Sequence, residues 1–438
     1  MLTLRNFTSA KLRLRAGRLQ YKRLMLVPLL LINSIFPAMA TDVSGGIYGN
    51  TNWTLANSPY TVTGNITVFE GATLNIDAGV IVNIKPDLVI EVRGDIRALG
   101  TGDKEIVFSA TPGTTWKGFV FIGLIGGAPR QATFNHCHIS RAKVGVDLEA
   151  ANRGPYEFRN CVFSENGKGN DDGGLGGILF DGCTFRNNGY GLTYFGHGGV
   201  VSNCNFYDNI YGVDGCNYIV NCRFTNHSGF AMSPYGVVSN CELTNNNIAV
   251  KSGFNGVNNT FTNNKIKNNK VGVEIETFAP VVKFINNEIC NNTEFDIVLD
   301  AKYDVNLAQN CWCSSDSAAI RTKINDGYTD ISRGRVNFMP FKTDCSALTT
   351  AITDPAQAEF TCYPNPLAPQ QALIIRTQTT LNKDDIELID GLGRRISFAF
   401  EKTGDETCSI IPLAAPAGHY LLRIRHVGSA ATRIITIR

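Results

Sequence analysis

One alternation of apolar and polar positions recurs through the middle of the chain. Asn203-Cys204-Asn205-Phe206-Tyr207-Asp208-Asn209, followed by Gly212-Val213, is a single copy of it. With the Cys as anchor, copies fall at Cys137, Cys161, Cys183, Cys204, Cys222 and Cys241, and Asn264 and Asn287 take its place in two more. The intervals are 24, 22, 21, 18, 19, 23 and 23 residues. Two places after each anchor stands Ile139, Phe163, Phe185, Phe206, Phe224, Leu243, Ile266 or Ile289. Five places after it stands Asn166, Asn188, Asn209, Asn246, Asn269 or Asn292, with Ala142 and His227 as exceptions. Many copies then reach a small residue and an aliphatic one, as in Gly145-Val146, Gly191-Leu192, Gly212-Val213, Ala249-Val250 and Gly272-Val273.

Residues i and i+2 of a strand share a side, so each Cys and its Phe are expected to face inward together. An Asn tolerates left-handed backbone and bonds to local amides, so the Asn at i+5 is read as a turn. A period near 20 without helical spacing predicts a solenoid whose turns bury their apolar sides against one another, stacking Cys, Phe and Asn in ladders. From Tyr60 the alternation continues upstream through Thr61-Val62-Thr63, Ile66-Thr67-Val68, Thr73-Leu74-Asn75-Ile76 and Val80-Ile81-Val82-Asn83-Ile84. These pieces, with Glu70-Gly71-Ala72-Thr73-Leu74 and Asp77-Ala78-Gly79-Val80, resemble the right-handed parallel β-helix proteins. Residues 45–60 are expected to cap the open end, because an uncovered strand edge invites pairing with other chains. Gly167 to Gly176 interrupts the period and reads as an excluded loop, whose Asn170, Asp171 and Asp172 offer oxygen ligands for calcium. No cofactor is required by the reading, with calcium the one possible ion.

Composition alters the picture at the ends. Seven basic residues, from Arg5 to Arg23, precede an apolar run, Leu24 to Phe36, and Ala38-Met39-Ala40 follows. This is the layout of a signal peptide over residues 1–40, cleaved near Ala40, and no other stretch reads as a transmembrane segment. Without it, 33 basic and 38 acidic side chains remain, a balance of −5 with no basic stripe, which argues against nucleic acid as a partner. Thirteen Cys in an exported chain would suggest a disulfide scaffold. Side chains in a ladder run parallel, however, and a disulfide dihedral would strain the rungs, so the six anchors are read as buried thiols. Near the end of the repeats, Cys311 and Cys313 lack the second pair that a zinc site needs. They are expected to pair with Cys290 or Cys345, or to remain free. A helix is predicted from Ser317 to Ile324.

Residues 346–358 read as a linker, and residues 359–438 as a small antiparallel β-sandwich of about seven strands. Pro364-Asn365-Pro366, Asp390 with Gly393-Arg394, Gly418 with Tyr420, and the basic end Arg433 to Arg438 resemble the C-terminal sorting domain of the type IX secretion system of Bacteroidetes-type bacteria. The resemblance implies type IX machinery as partner and passage to the cell surface. Cys362 and Cys408 could pair within it. The fold class expected is thus all-β: a right-handed parallel β-helix over 41–345, then the sandwich.

Candidate chemistry lies two places past the small residue of each repeat, where Asp147, Thr193, Asp214, Lys251 and Glu274 should stack on one outward face. Asp214, Lys251 and Glu274 are the catalytic candidates, with Lys251 as a base able to abstract a proton beside a uronate. Tyr190, Tyr194, Phe195, Tyr211, Tyr218, Phe230 and Tyr235, with His197, fall within three turns and could stack on sugar rings, although several must serve as packing. His136 and His138 should share an outward face, but without a third ligand they read as a surface pair, not a metal site. Two functions remain open: a surface module that binds polysaccharide or mediates adhesion, or a polysaccharide lyase or glycoside hydrolase.

Overall fold

The structure is a computed structural model, and it describes residues 40–122, 131–148, 156–172, 178–194, 199–252, 258–276, 281–345, 360–377, 380–390, 395–404, 406–426 and 429–437. The expected signal peptide and linker therefore lie outside the described residues. The chain is nearly all β. Among the described residues, parallel sheets of 23 and 11 strands wind into a solenoid of about eleven turns. A regular turn has three short strands, such as Val200–Ser202, Asn205–Tyr207 and Tyr211–Asp214.

The second strand of each turn carries the anchor. All six anchor thiols are free and buried, and burial pushes the Cys161, Cys183, Cys204 and Cys241 thiols up. Beside them Phe163, Phe185, Phe206 and Phe224 stack at 4.8, 4.7 and 4.6 Å with planes within 6° of parallel. That spacing is the distance between hydrogen-bonded strands, so one ring per turn fills the core without a gap. The small residue in the third strand follows from this. A Cβ on Gly191 would lie 2.5 Å from the Gly212 carbonyl oxygen and 2.9 Å from Phe206 Cδ1. Ala231 and Ala249 hold the position where the following turn supplies Leu243 and Ile266 instead of Phe. Gly191→Ala should therefore destabilise the fold by about 1–3 kcal/mol through overpacking, measurable as a shift in the denaturant midpoint; an unchanged midpoint would show that the ring column can move aside.

The Asn at i+5 is not the turn residue. The left-handed corners fall one place earlier, at Asn187 (φ 55°), Asp208 (φ 56°), Asn226 (φ 61°) and Asn245 (φ 59°), and again just before the anchors, at Asn203 and Asn221. The i+5 side chains point inward and are buried. Each amide donates to the Oδ1 of the next turn: Asn166 Nδ2 to Asn188 (3.1 Å), Asn188 to Asn209 (2.9 Å), Asn246 to Asn269 (2.9 Å) and Asn269 to Asn292 (3.0 Å). Asn264, Asn287 and Asn310 form a second such column that continues the Cys anchors. His227 replaces one Asn within the first column.

Three further expectations need correction. Gly167 to Gly176 does not leave the coil wholesale, because Lys168–Asp172 is a regular third strand, paired with Val144–Leu148 and Tyr190–Tyr194. Alternation sends Asn170 inward, where it is buried and donates to the Val146 carbonyl, and Asp171 outward. Residues 45–60 are not a separate cap: Thr41–Ile47 and Thr51–Trp53 already pair in register as rungs. Cys362 and Cys408 are free and stand on strands either side of Ile375, two strand spacings or about 10 Å apart, beyond the reach of a bond.

At the far end, Cys290–Cys313 and Cys311–Cys345 disulfides close the solenoid. Helix Ser317–Arg321 starts at Asp316, whose side chain accepts from the Ala318 amide, and ends three residues sooner than expected. Among the described residues, the C-terminal region has a four-stranded and a three-stranded antiparallel sheet around its own core of Leu373, Ile375, Ile410, Leu422 and Ile435. Asn365 Oδ1 accepts from the Thr436 amide (2.9 Å), Tyr420 donates to the Pro416 carbonyl (2.5 Å), and Asp390 stands opposite Tyr420. Pro364 and Pro366 flank Asn365, and Gly418 opens the strand that carries Tyr420. Gly393 and Arg394 lie outside the described residues.

Candidate functional site

The outward side of the third strands carries two parallel columns. In the first, Lys168 pairs with Tyr190 and Tyr190 with Tyr211. Phe230 follows, then Ile248. The Tyr190 and Tyr211 rings lie 4.6 Å apart, and those of Tyr211 and Phe230 4.7 Å apart. All three are partly exposed. Three rings thus form a continuous strip along the solenoid axis.

The second column lies three residues further along each strand. Asp147 pairs with Asp171, Asp171 with Thr193, Thr193 with Asp214 and Asp214 with Ser233, and Lys251 pairs with Glu274. The expected column therefore exists, and it includes Asp171 and Ser233, two places past Gly169 and Ala231; Thr193 and Ser233 within it are buried. Asp171 is held from both sides, by Thr193 Oγ1 on one oxygen (2.6 Å) and Lys168 Nζ on the other (2.6 Å). Asp214 is more than half buried for an outward residue. Burial pushes its carboxyl up, while Lys168 and Lys251 pull the other way. Tyr235 approaches from the loop after Phe230–Ser233, its phenol pushed up to about 12 by burial and by the Asp214 charge.

Lys251 is not placed as a base. Its Nζ lies 2.8 Å from Glu276 Oε1, and this hydrogen bond pushes its pKa up. A base at neutral pH needs the reverse shift. Burial also pushes the Glu274 carboxyl up. Asp214 and Glu274 stand three turns apart, about 14 Å, too far to act on one bond.

The remaining candidates scatter. Phe195 and His197 lie outside the described residues, and Tyr194 ends its strand at the margin of them. Tyr218 is on the first strand of its turn, in the other sheet, and is buried. His136 occupies a left-handed corner (φ 46°), whereas His138 sits in the following strand with Nε2 2.8 Å from Ser164 Oγ, so the two rings do not form a pair.

Residues 123–255 match the family model described as the right handed beta helix region. The solenoid is a right-handed parallel β-helix. No protein of curated function matches the chain in sequence. Among solved structures, the chain is similar to the tailspike protein gp49 of Acinetobacter baumannii bacteriophage Fri1, described as a capsular polysaccharide depolymerase. The identity is 11% and the TM-score 0.30, over 90% of this chain and 73% of that one. It is also similar to a double mutant of the tailspike protein of E. coli bacteriophage HK620, with 10% identity and a TM-score of 0.24 over 89% and 86% of the two chains. Likeness at this level carries no argument about activity. Among the described residues of the β-helix and sandwich, no helix is long and apolar enough to cross a membrane.

Proposed function

We propose that the β-helix binds an extended polysaccharide along the outward side of its third strands. The observation that carries this reading is the Tyr190, Tyr211 and Phe230 strip beside a column of hydrogen-bonding side chains. Flat apolar ring faces stack on the apolar faces of sugars, and the adjacent, partly exposed Asp171 and Asp214 supply oxygens for hydroxyl groups. Tyr211→Ala removes the middle ring and breaks the strip. Retention on polysaccharide columns should fall roughly tenfold or more, since aromatic anchors dominate such contacts, whereas Lys251→Ala should leave it unchanged. Equal retention of the Tyr211 variant and the natural chain on every glycan tested would end the proposal.

A second reading, hydrolysis, rests on the contrast between two carboxyl groups. Asp171 is fixed by Lys168 and Thr193, while Asp214, two turns on, is half-buried with its proton affinity raised. A half-buried carboxyl of raised proton affinity suits a general acid, and a second carboxylate held in place by Lys168 and Thr193 suits a base. Their backbone separation of about 10 Å lies close to that of inverting glycosidases. New reducing ends that vanish in both Asp171→Asn and Asp214→Asn would favour hydrolysis over binding alone.

The sandwich is proposed as a type IX sorting domain, which would make the chain a secreted or cell-surface protein. Its motif positions Asn365, Asp390, Gly418 and Tyr420 support this by holding the ends of its strands. Deleting residues 359–438 should trap the β-helix in the periplasm, as read by cell fractionation; surface display of the truncated chain would refute the assignment.

A further inference from the structure

The first strands of the β-helix present an outward column that changes character along its length. In register it reads Glu157, Leu179, Val200, Tyr218, Val237 and Thr260, with Lys283 beyond. Its ends are polar, and Thr260 and Lys283 reach solvent. The middle is apolar, which an outward strand position exposed to water does not call for. In the neighbouring outward column Val220 breaks a polar series of Asp181, Ser202 and Ser239 at the same level. Leu179, Val200, Tyr218 and Val220 are nonetheless at most 2% exposed.

The C-terminal sandwich covers them. Ile389 and Leu421, directly opposite each other on adjacent strands, pack with these four residues and Val237 into a cluster separate from either domain's core. The alternation within the three-stranded sheet agrees. Ile386, Leu388, Leu422 and Ile424 point into the sandwich core, while Ile389 and Leu421 point away from it. On that outer side Glu387 is buried and paired with Arg423 (3.4 Å) and Arg395 (2.5 Å). Asp390 and Arg423 lie near enough to act on the buried Tyr218 phenol.

We propose that these two surfaces form a docking interface within the chain, which holds the sandwich on the flank of the β-helix independently of the covalent connection between them. Two apolar patches, each on a face that would otherwise be polar, meet with their charged neighbours paired at the margin. This is the composition of a specific interface with a dry centre and a polar rim. The partner of the β-helix stripe is the Ile389 and Leu421 face of this chain's own sandwich. The aromatic strip takes no part, so the inference does not depend on glycan binding.

The test uses the full chain with a specific protease site placed within residues 346–358, cut after folding. The two pieces should co-elute as one species on size exclusion. Val200→Lys, made at an outward position where Lys283 shows that lysine fits, should weaken their association at least roughly tenfold while leaving the far-ultraviolet β-sheet signal unchanged. Ile389→Gln tests the opposite side in the same way, should Val200→Lys disturb the coil. Separation of the cut natural chain into two folded pieces would overturn the proposal, as would co-elution unaffected by both substitutions.

Discussion

Replacing His227 with Asn should make the protein markedly more stable in acid than the natural chain. His227 occupies an Asn position in a buried column. Its Nδ1 lies 2.9 Å from Asn246 Oδ1, an acceptor, so Nδ1 carries the proton. Nε2 must then accept, and it faces the Asn209 amide nitrogen at 3.4 Å. Neutral imidazole matches the column's order of donor and acceptor; protonation would set two donors against each other. Burial accordingly pushes the His227 pKa down to about 4, against weaker raising effects of the Asn246 bond and the Asp208 charge. A depressed histidine pKa means that the unfolded chain takes up a proton first. This part of the stability is complete above about pH 6.5, is lost as pH falls toward 4, and changes no further below that. Integrated over the interval it amounts to about 3 kcal/mol. Asn has no such titration, and the carboxylates common to both chains cancel in the comparison. Urea midpoints at pH 7, 5.5 and 4 should diverge progressively between the variant and the natural chain. A constant difference at all three would rule out the neutral-imidazole account.

The largest loss is expected from Asn188→Ala. The Asn188 amide nitrogen donates to the Phe163 carbonyl (3.0 Å) and to Asn209 Oδ1 (2.9 Å). Its oxygen accepts from the Asn166 backbone (2.9 Å) and from the Asn166 side chain (3.1 Å). Truncation breaks all four bonds in a dry interior. Asn209 Oδ1 still accepts from the Asn188 backbone and Asn166 Nδ2 still donates to the Ile139 carbonyl, so two groups lose their Asn188 partner outright, at about 1–3 kcal/mol each, and the total should be about 2–6 kcal/mol. The preceding residue provides the contrast. Asn187 is an exposed corner at φ 55°, and Asn187→Ala should cost only about 1 kcal/mol for forcing Ala into left-handed backbone. Denaturant unfolding of both variants decides the matter: comparable losses would mean that the buried bonds contribute no more than the corner does.

Adjacent Asn residues with opposite roles also show what the sequence makes legible. The period, the inward Cys and Phe, and the outward face holding Asp214, Lys251 and Glu274 follow from strand alternation and the anchor spacing. Assigning the turn to Asn188 instead of Asn187 fails because either residue suits left-handed backbone, and only the register of the next turn decides between them. Lys168–Asp172 is hard to read as a strand because Gly-Lys-Gly-Asn-Asp offers no apolar residue to mark its inward side, with Asn170 filling that place by hydrogen bonding. The outward place of Asp171 is hidden with it. Lys251 meets Glu276, a partner contributed by the following turn, and local sequence carries no sign of such a pairing. Tyr218 looks like the other tyrosines in composition, yet it belongs to a different strand of the turn and so to a different face.

The amide column has a direction. It starts where the Ala142 backbone donates to Asn166 Oδ1, and every later link donates toward the C-terminus, until Asn292 donates to Asp296 Oδ1 (2.7 Å). A carboxylate accepts without donating onward, so Asp296 ends the series chemically as well as spatially. Between these fixed ends each turn presents the same acceptor behind and the same donor ahead. Duplication or loss of one complete turn would then leave the donors and acceptors of this column matched, so that the coil could change length while keeping both of the column's ends.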